Sequence, residues 1–559
     1  MKAGTDVYRN LSLIDIDSKL SKKPQSVVID GSSLELEHIL SVGRNLTDVQ
    51  FTADPDILNR VQTTYEAMMT DVKNGVPIYG CNTGYGAQAS HVVNKGLKKK
   101  RVDDAKKISE GITHIDVAVG PEFKKEIVRG AMLIRINMLL NGVSAVKIDD
   151  LNIFRQMLNK QVTPVINMYG GIGASGDLAH NARVLNAARR VKGTLASNAK
   201  GQVLEAQKAM VEAGIKQLSL DPKAGLGLVN GDNFSTSVAT FLATDTMRAL
   251  LFMHVLAAMV IEVLRGTDRS FHPLLAHVRP HEGQRETADM MRDLLEGSKL
   301  AYQEMRGHKK RPAGVKVQDG YSLRGIAQYL GVDVAKMKGI LDTIEINANS
   351  VSDNPLWVLP EYATKGEKPY QWVSGANFIA MHMVDVLDDT RKVMTHITKL
   401  CDRHVARLVN THESNGLPPN LSDKAAITQC SFKGVQIQSG MLDVYSSLLS
   451  VPVSTFFGVH EEGNQDITSH ALTSGIIGIE NLRLTHYALA QTLMAVCQAV
   501  DLRGGADKLS EKTRPVYRFV RSKIAYVKEE RPLHNEIELL YEAISSGELN
   551  TLLREQVFS

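Results

Sequence analysis

The chain has 559 residues, 43% of them hydrophobic and 23% charged, with a net charge of +4. This is the composition of a soluble globular protein, and so small a charge on so long a chain argues against nucleic acid or an anionic membrane as the main partner. The four cysteines, Cys81, Cys401, Cys430 and Cys497, form no C-x-x-C pair, which argues against a zinc ribbon, and without a signal-like apolar start the expected setting is cytoplasmic.

Residues 1–45 are polar and weakly patterned and read as an N-terminal arm. Residues 46–225 mix short helices with loops rich in Gly and Pro and read as a smaller mixed domain. Within it, the basic cluster Lys98-Lys99-Lys100-Arg101 with Lys106 and Lys107 is diluted by Asp103 and Asp104. It reads as solvated surface, as does Lys309-Lys310-Arg311 further on. The apolar run VTPVINMYG (residues 162–170) leads into a glycine-rich loop.

Residues 226–515 read as a central helical bundle, and 516–559 as a C-terminal helical tail. Met383, Val386, Leu387, Val393, Met394, Ile397, Leu400, Cys401, Val405 and Leu408 keep the three-and-four spacing of one helix face. Stretches 235–265 and 468–502 are also long and apolar-periodic. The most lipid-like stretch, 249–264, is shorter than the roughly 18–20 residues a span requires and carries His254 and Glu262. It reads as a buried core helix. The expected fold is mainly α, with a long-helix bundle core and a smaller mixed N-terminal domain.

The glycine-rich loop reads GGIGASGDLAH (residues 170–180). Gly171-x-Gly173-x-x-Gly176 matches the dinucleotide fingerprint, but that fingerprint needs alternating βαβ units, and long helices follow instead. Ala174-Ser175-Gly176 offers different chemistry. If the Gly176 nitrogen approaches the Ala174 carbonyl carbon, loss of water closes a five-membered ring. Loss of a second water from Ser175 then leaves an exocyclic alkene, an electrophile made without external cofactor. Such compression of the backbone tolerates only small side chains.

The loop closely resembles the signature of the aromatic amino acid ammonia-lyase and aminomutase family, and motifs in the family's order run from about residue 77 to 466. The resemblance implies a 4-methylidene-imidazol-5-one (MIO) group formed from Ala174, Ser175 and Gly176, with no metal. YGCNTGYGAQAS (79–90) resembles the family's Y-G-x-N-T-G-F-G, with Tyr85 for Phe, and makes Tyr79 the expected base. A phenol with an ordinary pKa of about 10 is useful only if its phenolate is stabilised, as helix N-termini could do. LGLVNGDNFS (226–235) makes Asn230 a contact to the group and substrate. Here Ala224 and Gly227 stand for the family's Glu and Ala, and Asp232-Asn233 for its Thr and a small or polar residue. QDGYSLRGIAQYLG (318–331) resembles Q-D-x-Y-S-L-R. Arg324 would pair with the substrate carboxylate, and Tyr321 would hydrogen-bond near the amine or the prosthetic group. NSVSDNPLW (349–357) makes Asn354 a further amide donor. SGANF (374–378) is followed by Ile379 where His is common, and His180-Asn181 stand for Pro-Leu. In GNQDI (463–467), Gln465 aligns with a Glu of histidine-specific members, and a neutral amide suits a phenyl ring better than an imidazole. His460-Glu461-Glu462 lacks H-E-x-x-H spacing and is no metal motif.

Counting back without gaps from Gly120 puts the ring-contacting pair at His114 and Ile115, similar to the His-Leu of tyrosine-selective members. An imidazole can bond a para-hydroxyl. Asp116 is an unusual charge beside this pair, and residues 88–107 are expected as a basic loop over the site. The resemblance implies a homotetramer with sites shared between subunits. It implies elimination of ammonia from an aromatic L-amino acid (tyrosine, phenylalanine or dihydroxyphenylalanine) to an arylacrylate. The alternatives are a 2,3-aminomutase with the same residues, a histidine ammonia-lyase, and a non-enzymatic scaffold whose group never forms.

Overall fold

The computed structural model describes residues 7–93, 95–306, 316–368, 371–456 and 458–559, so the basic run Lys309-Lys310-Arg311 lies outside the described residues. Long helices make the centre of the molecule: α1 (Lys125–Leu140), α2 (Asn233–Val263), α3 (Ile326–Ala348), α4 (Met381–Val409), α5 (Ser431–Leu448) and α6 (Ala471–Leu502). The three segments read as long helices are α2, α4 and α6, each within a few residues of the expected bounds. α2 packs against α1, α3, α4 and α6, which is why it is apolar on every side. By length and composition α2 could cross a membrane, yet 94% of its most apolar window is buried inside the protein. Stretch 249–264 understated this helix because its first turns carry hydroxyls. Thr236 and Thr240 return theirs to the carbonyls four residues back, each at 2.8 Å.

The strands are short. Val119–Glu122 pairs antiparallel with Asn167–Tyr169, and Thr163–Pro164, Leu195–Ser197 and Val203–Glu205 form a small antiparallel sheet. Together with nearby short helices they make the mixed region that presents the glycine-rich loop. Residues 88–107 are not the expected loop throughout, for a helix runs over Lys98–Gly111. Its basic side chains are partly neutralised, Lys100 by Asp104 and Lys106 by Asp221, each at 2.9 Å.

The segment expected as an arm is packed onto the bundle from Val7 onward. Leu13, Ile16 and Leu20 bury one face of the Leu13–Leu20 helix. Ser26–Ile29 pairs in parallel with Asp48–Phe51, and the Tyr8 backbone N–H donates to Asp342 Oδ1 on α3 at 2.8 Å. A short helix buries only one stripe, so its sequence reads as polar. One continuous core reaches from Tyr8 to Val557.

α2 and α3 run antiparallel. At one end, Asn347 near the close of α3 donates to Asp232 Oδ2 (3.1 Å) and Thr236 Oγ1 (2.7 Å), where α2 begins. At the other, Thr267 N beyond α2 donates to Asp319 Oδ2 before α3, at 2.9 Å.

Candidate active site

Three helices begin on the Ile172–Asp177 segment. Asp177 itself is the N-cap of the Leu178–Ala188 helix. Its N–H donates to Gly231 O at 2.8 Å, next to Asp232, the N-cap of α2. His470, the N-cap of α6, donates its N–H to Ile172 O at 2.8 Å, and Ser469 Oγ donates to Gly173 O at 3.0 Å. The positive ends of three helix dipoles therefore meet the segment that carries Ser175. This favours negative charge developing there.

The tripeptide is held tightly. Ala174 is buried, Gly176 has φ +70° and Gly173 φ +67°. A Cβ on Gly176 would collide with the Gly231 carbonyl, and one on Gly173 with Ser469 Oγ. Only glycine fits either place, so Ala174 and Ser175 are bounded on both sides by positions that exclude any side chain. The residues present thus fit the internally formed group that the loop suggested. Asp177 is fully buried and accepts from Ser235 N and Oγ, both at 2.8 Å. Burial pushes its carboxyl up to about 7 despite those bonds, with the Asp232 charge adding to the rise.

Gln465 Nε2 donates to Ser175 Oγ at 3.2 Å, so two candidate site residues 290 apart in sequence meet. Asn230 closes the Ala224–Val229 helix and abuts the Gly231–Gly176 contact. Its Nδ2 donates to Asp353 Oδ1 (3.2 Å) and Asn354 O (3.3 Å). Asn354 Oδ1 accepts from Gly375 N at 2.9 Å, so the amide nitrogen remains as its donor toward a ligand.

Tyr79 Oη accepts from Gly86 N at 2.9 Å. Burial raises the phenol above its ordinary value; the Gly86 N–H opposes this and the Glu461 charge adds to it. The phenolate-stabilising helix ends expected at Tyr79 gather instead around Ser175. Glu461 was missed in the sequence. Its carboxylate packs so closely on Gly86 that a Cβ there would overlap it, and Asn464 Nδ2 donates to it at 2.9 Å. Three residues in a row, His460-Glu461-Glu462, invited only a metal test, although Glu461 lies four before Gln465 and shares its loop.

Several departures have local reasons. Tyr85 uses its hydroxyl on Ile108 O at 2.7 Å, tying the first motif to the Lys98–Gly111 helix. At Gly227, Val146 occupies the space a Cβ would need. His180 is buried between Phe123 and Phe234, with Nε2 on Met168 O at 3.0 Å. Burial lowers it to about 4, so it is neutral and structural. Asp116 is paired, with Arg183 Nε at 2.5 Å and Asn186 Nδ2 at 3.1 Å.

Two expected groups are not drawn to Ser175. His114 and Ile115 end a short 3-10 helix; His114 is exposed, and among the described residues no hydrogen bond joins it to the group above. Tyr321 and Arg324 lie just before α3, at the end opposite Asp232 and Asn347. α3 has 23 residues, a length of about 35 Å at 1.5 Å per residue. There the Arg324 guanidinium stands 4.6 Å over the Tyr321 ring, its Nε buried without a partner among the described residues. Both line a cavity of about 1120 Å³ with Thr267, Arg269, Tyr329 and Arg403. On α5, Ile437, Met441, Val444 and Leu448 are exposed at helical spacing.

The model of the family described as "Aromatic amino acid lyase" matches residues 34–522. The chain belongs to the aromatic amino acid lyase family. Phenylalanine ammonia-lyase of Nostoc punctiforme is 31% identical over 481 residues, 85% of this chain and 82% of that one. Histidine ammonia-lyase of Caldanaerobacter subterraneus is 30% identical over 534 residues, 95% and 99% of the two chains. The crystal structure of tyrosine aminomutase from Streptomyces globisporus has a TM-score of 0.85 at 28% identity, covering 95% of this chain and 99% of that one. The mainly helical fold is thus that of the family, and this aromatic amino acid lyase is an enzyme, a carbon–nitrogen lyase.

Proposed function

We propose that this lyase eliminates ammonia from an aromatic L-amino acid carrying a phenyl-type ring, giving an arylacrylate. The observation that carries the reading is Gln465 on Ser175 Oγ. It puts a neutral amide beside the reacting centre, where a carboxylate would suit an imidazole substrate. The MIO group, formed from Ala174, Ser175 and Gly176, supplies the electrophile. Tyr79 takes the β proton on Oη, poised by the Gly86 N–H. Asn230 and Asn354 hold the polar end of the substrate. Arg324 pairs with the carboxylate through the guanidinium edge, whose Nε has no partner among the described residues. His114 and Ile115 remain the proposed ring contacts, with His114 bonding a para-hydroxyl.

Arg324 and Tyr321 complete the site from another copy of the chain in a homotetramer. This is supported by their distance from Ser175, about one 35 Å helix length, and by the exposed apolar stripe on α5. A cytoplasmic setting is part of the reading, supported by four free thiols.

Incubation with phenylalanine, tyrosine, dihydroxyphenylalanine and histidine, with product identification, tests the reading. An arylacrylate with equimolar ammonia is expected, and urocanate as the main product would overturn it. The likeness to a tyrosine aminomutase supports a second reading, a 2,3-aminomutase; its mark is a β-amino acid accumulating with little arylacrylate.

A further inference from the structure

Lys223 is a lysine where none is expected. Its backbone is left-handed, φ +62°, although it is not glycine, a conformation that costs free energy. Its side chain is 0% exposed, and Nζ donates to Asp353 Oδ2 at 2.8 Å, the Asp353 side chain being 0% exposed as well. A wholly buried ion pair loses about as much in desolvation as it gains, and well-packed apolar residues would stabilise the fold as well or better. Stability alone therefore does not account for it.

Its second contacts do. Asp353 uses its other oxygen, Oδ1, to accept from Asn230 Nδ2 at 3.2 Å, and Asn354 O accepts from the same nitrogen at 3.3 Å. Both partners are acceptors only, so the amide must turn its nitrogen to them. That leaves Asn230 Oδ1 as the free acceptor at the residue adjoining the Gly231–Gly176 contact. If the carboxylate became a neutral acid, its O–H could donate, and the amide could turn round. The ammonium keeps Asp353 an acceptor. Arg135 leaves this side chain alone and fixes the backbone, donating to Gly227 O (2.5 Å), Asn230 O (2.9 Å) and Ser352 O (3.2 Å). Lys223 also starts the helix that Asn230 ends, and its backbone N–H and charge face Cys81, two residues from Tyr79.

We propose that Lys223 and Asp353 are positioning residues, which hold the Asn230 amide with its oxygen toward the reacting centre as an acceptor for the N–H donors of the substrate's amino group. This rests on the ammonia-lyase reading above. The test is a cycle of D353N, N230A and the double variant, with K223M alongside. D353N is nearly isosteric and keeps the measurement open if K223M does not fold. D353N is expected to lower kcat/KM about 100-fold, mostly in kcat, while the two-water mass deficit of the 170–180 peptide is retained. On the N230A background it is expected to add less than about threefold, because its effect passes through Asn230. Multiplicative losses, or a D353N enzyme within about twofold of wild type, would overturn the proposal. The crystal structure of D353N gives an answer without turnover: a turned Asn230 amide supports it, and an unchanged one with the same partners refutes it. If the wild type deaminates no aromatic amino acid, the functional reading fails by itself, and the Asn230 orientation still decides this proposal.

Discussion

The side-chain amides of Asn181 and Asn233 exchange two hydrogen bonds, Nδ2 to Oδ1 in each direction, at 2.9 and 2.8 Å. Each stands at a position where the sequence departs from the family's motifs, and the two departures are one interaction. Asn181 Nδ2 also reaches Val229 O (3.0 Å) and Gly231 O (3.2 Å), and Asn233 Nδ2 reaches Ala131 O (3.1 Å). The pair thus ties the helix after the tripeptide to the start of α2. Replacing Asn181 by Leu leaves the buried Asn233 amide short of a partner, which costs about 1–3 kcal/mol. Denaturant unfolding of N181L, N233A and the double variant is expected to show non-additive losses; additive losses would mean the amides act independently.

Tyr79, the proposed base, sets the expected pH dependence. Burial raises its phenol, Glu461 raises it further, and only the Gly86 N–H opposes. A base acts when deprotonated, so kcat/KM is expected to climb with pH through the alkaline range. Removing the Glu461 charge takes away one of the two raising influences. E461Q is therefore expected to shift that limb to lower pH, and a pH–rate profile of both enzymes measures the shift. A limb that stays in place would show that Glu461 does not act on Tyr79.

Much of this site was legible because its chemistry is local in sequence. Residues 170–180 carry the tripeptide proposed to form the electrophile, the glycines on either side of Ala174 and Ser175 that admit no side chain, and the Asp177 cap. The Gln465 and Asn230 segments each carry their residues in one unbroken run. What was not legible depends on long-range packing. Lys223 and Asp353 are 130 residues apart, and nothing around either predicts a buried pair. Glu461 reaches the neighbourhood of Tyr79 only because Gly86 folds against it. The helices read from periodicity match closely where one face is buried, as in α4. The short N-terminal helices were read as an arm because a single stripe of Leu13, Ile16 and Leu20 is too little apolar pattern to stand out. The distance between Arg324 and Ser175 follows from the antiparallel run of α2 and α3, a property of topology that no motif spells out.

Asp177 links the loop to the stability of the whole protein. Its carboxyl is raised to about 7, mainly by burial, against about 3.9 in an unfolded chain. Between about pH 4 and 7 the folded state keeps a proton that the unfolded state has lost. The contribution is full below that window and falls as pH rises through it. D177N carries no such proton, and its Oδ1 still accepts one bond from Ser235. The difference in unfolding free energy between wild type and D177N is therefore expected to change steadily over that window and to level off outside it. A constant difference would place the Asp177 proton outside this range.

A shared site makes a sharper demand than any single substitution. In the proposed chemistry S175A removes the hydroxyl whose loss as water completes the electrophile, so it is expected to lose turnover and the mass deficit while keeping its helical signal and size. R324A keeps the tripeptide and the deficit but loses the carboxylate partner, so it is expected to raise KM and lower kcat/KM by about 100-fold. If each site takes Ser175 from one copy and Arg324 from another, mixed oligomers of the two variants contain sites with both residues intact. Co-expression with two affinity tags, followed by tandem purification, isolates those hybrids. Turnover well above that of either variant alone is expected, because intact Ser175 and intact Arg324 meet across the interface. Hybrids no more active than the R324A parent would require both residues to come from one chain, which the length of α3 opposes.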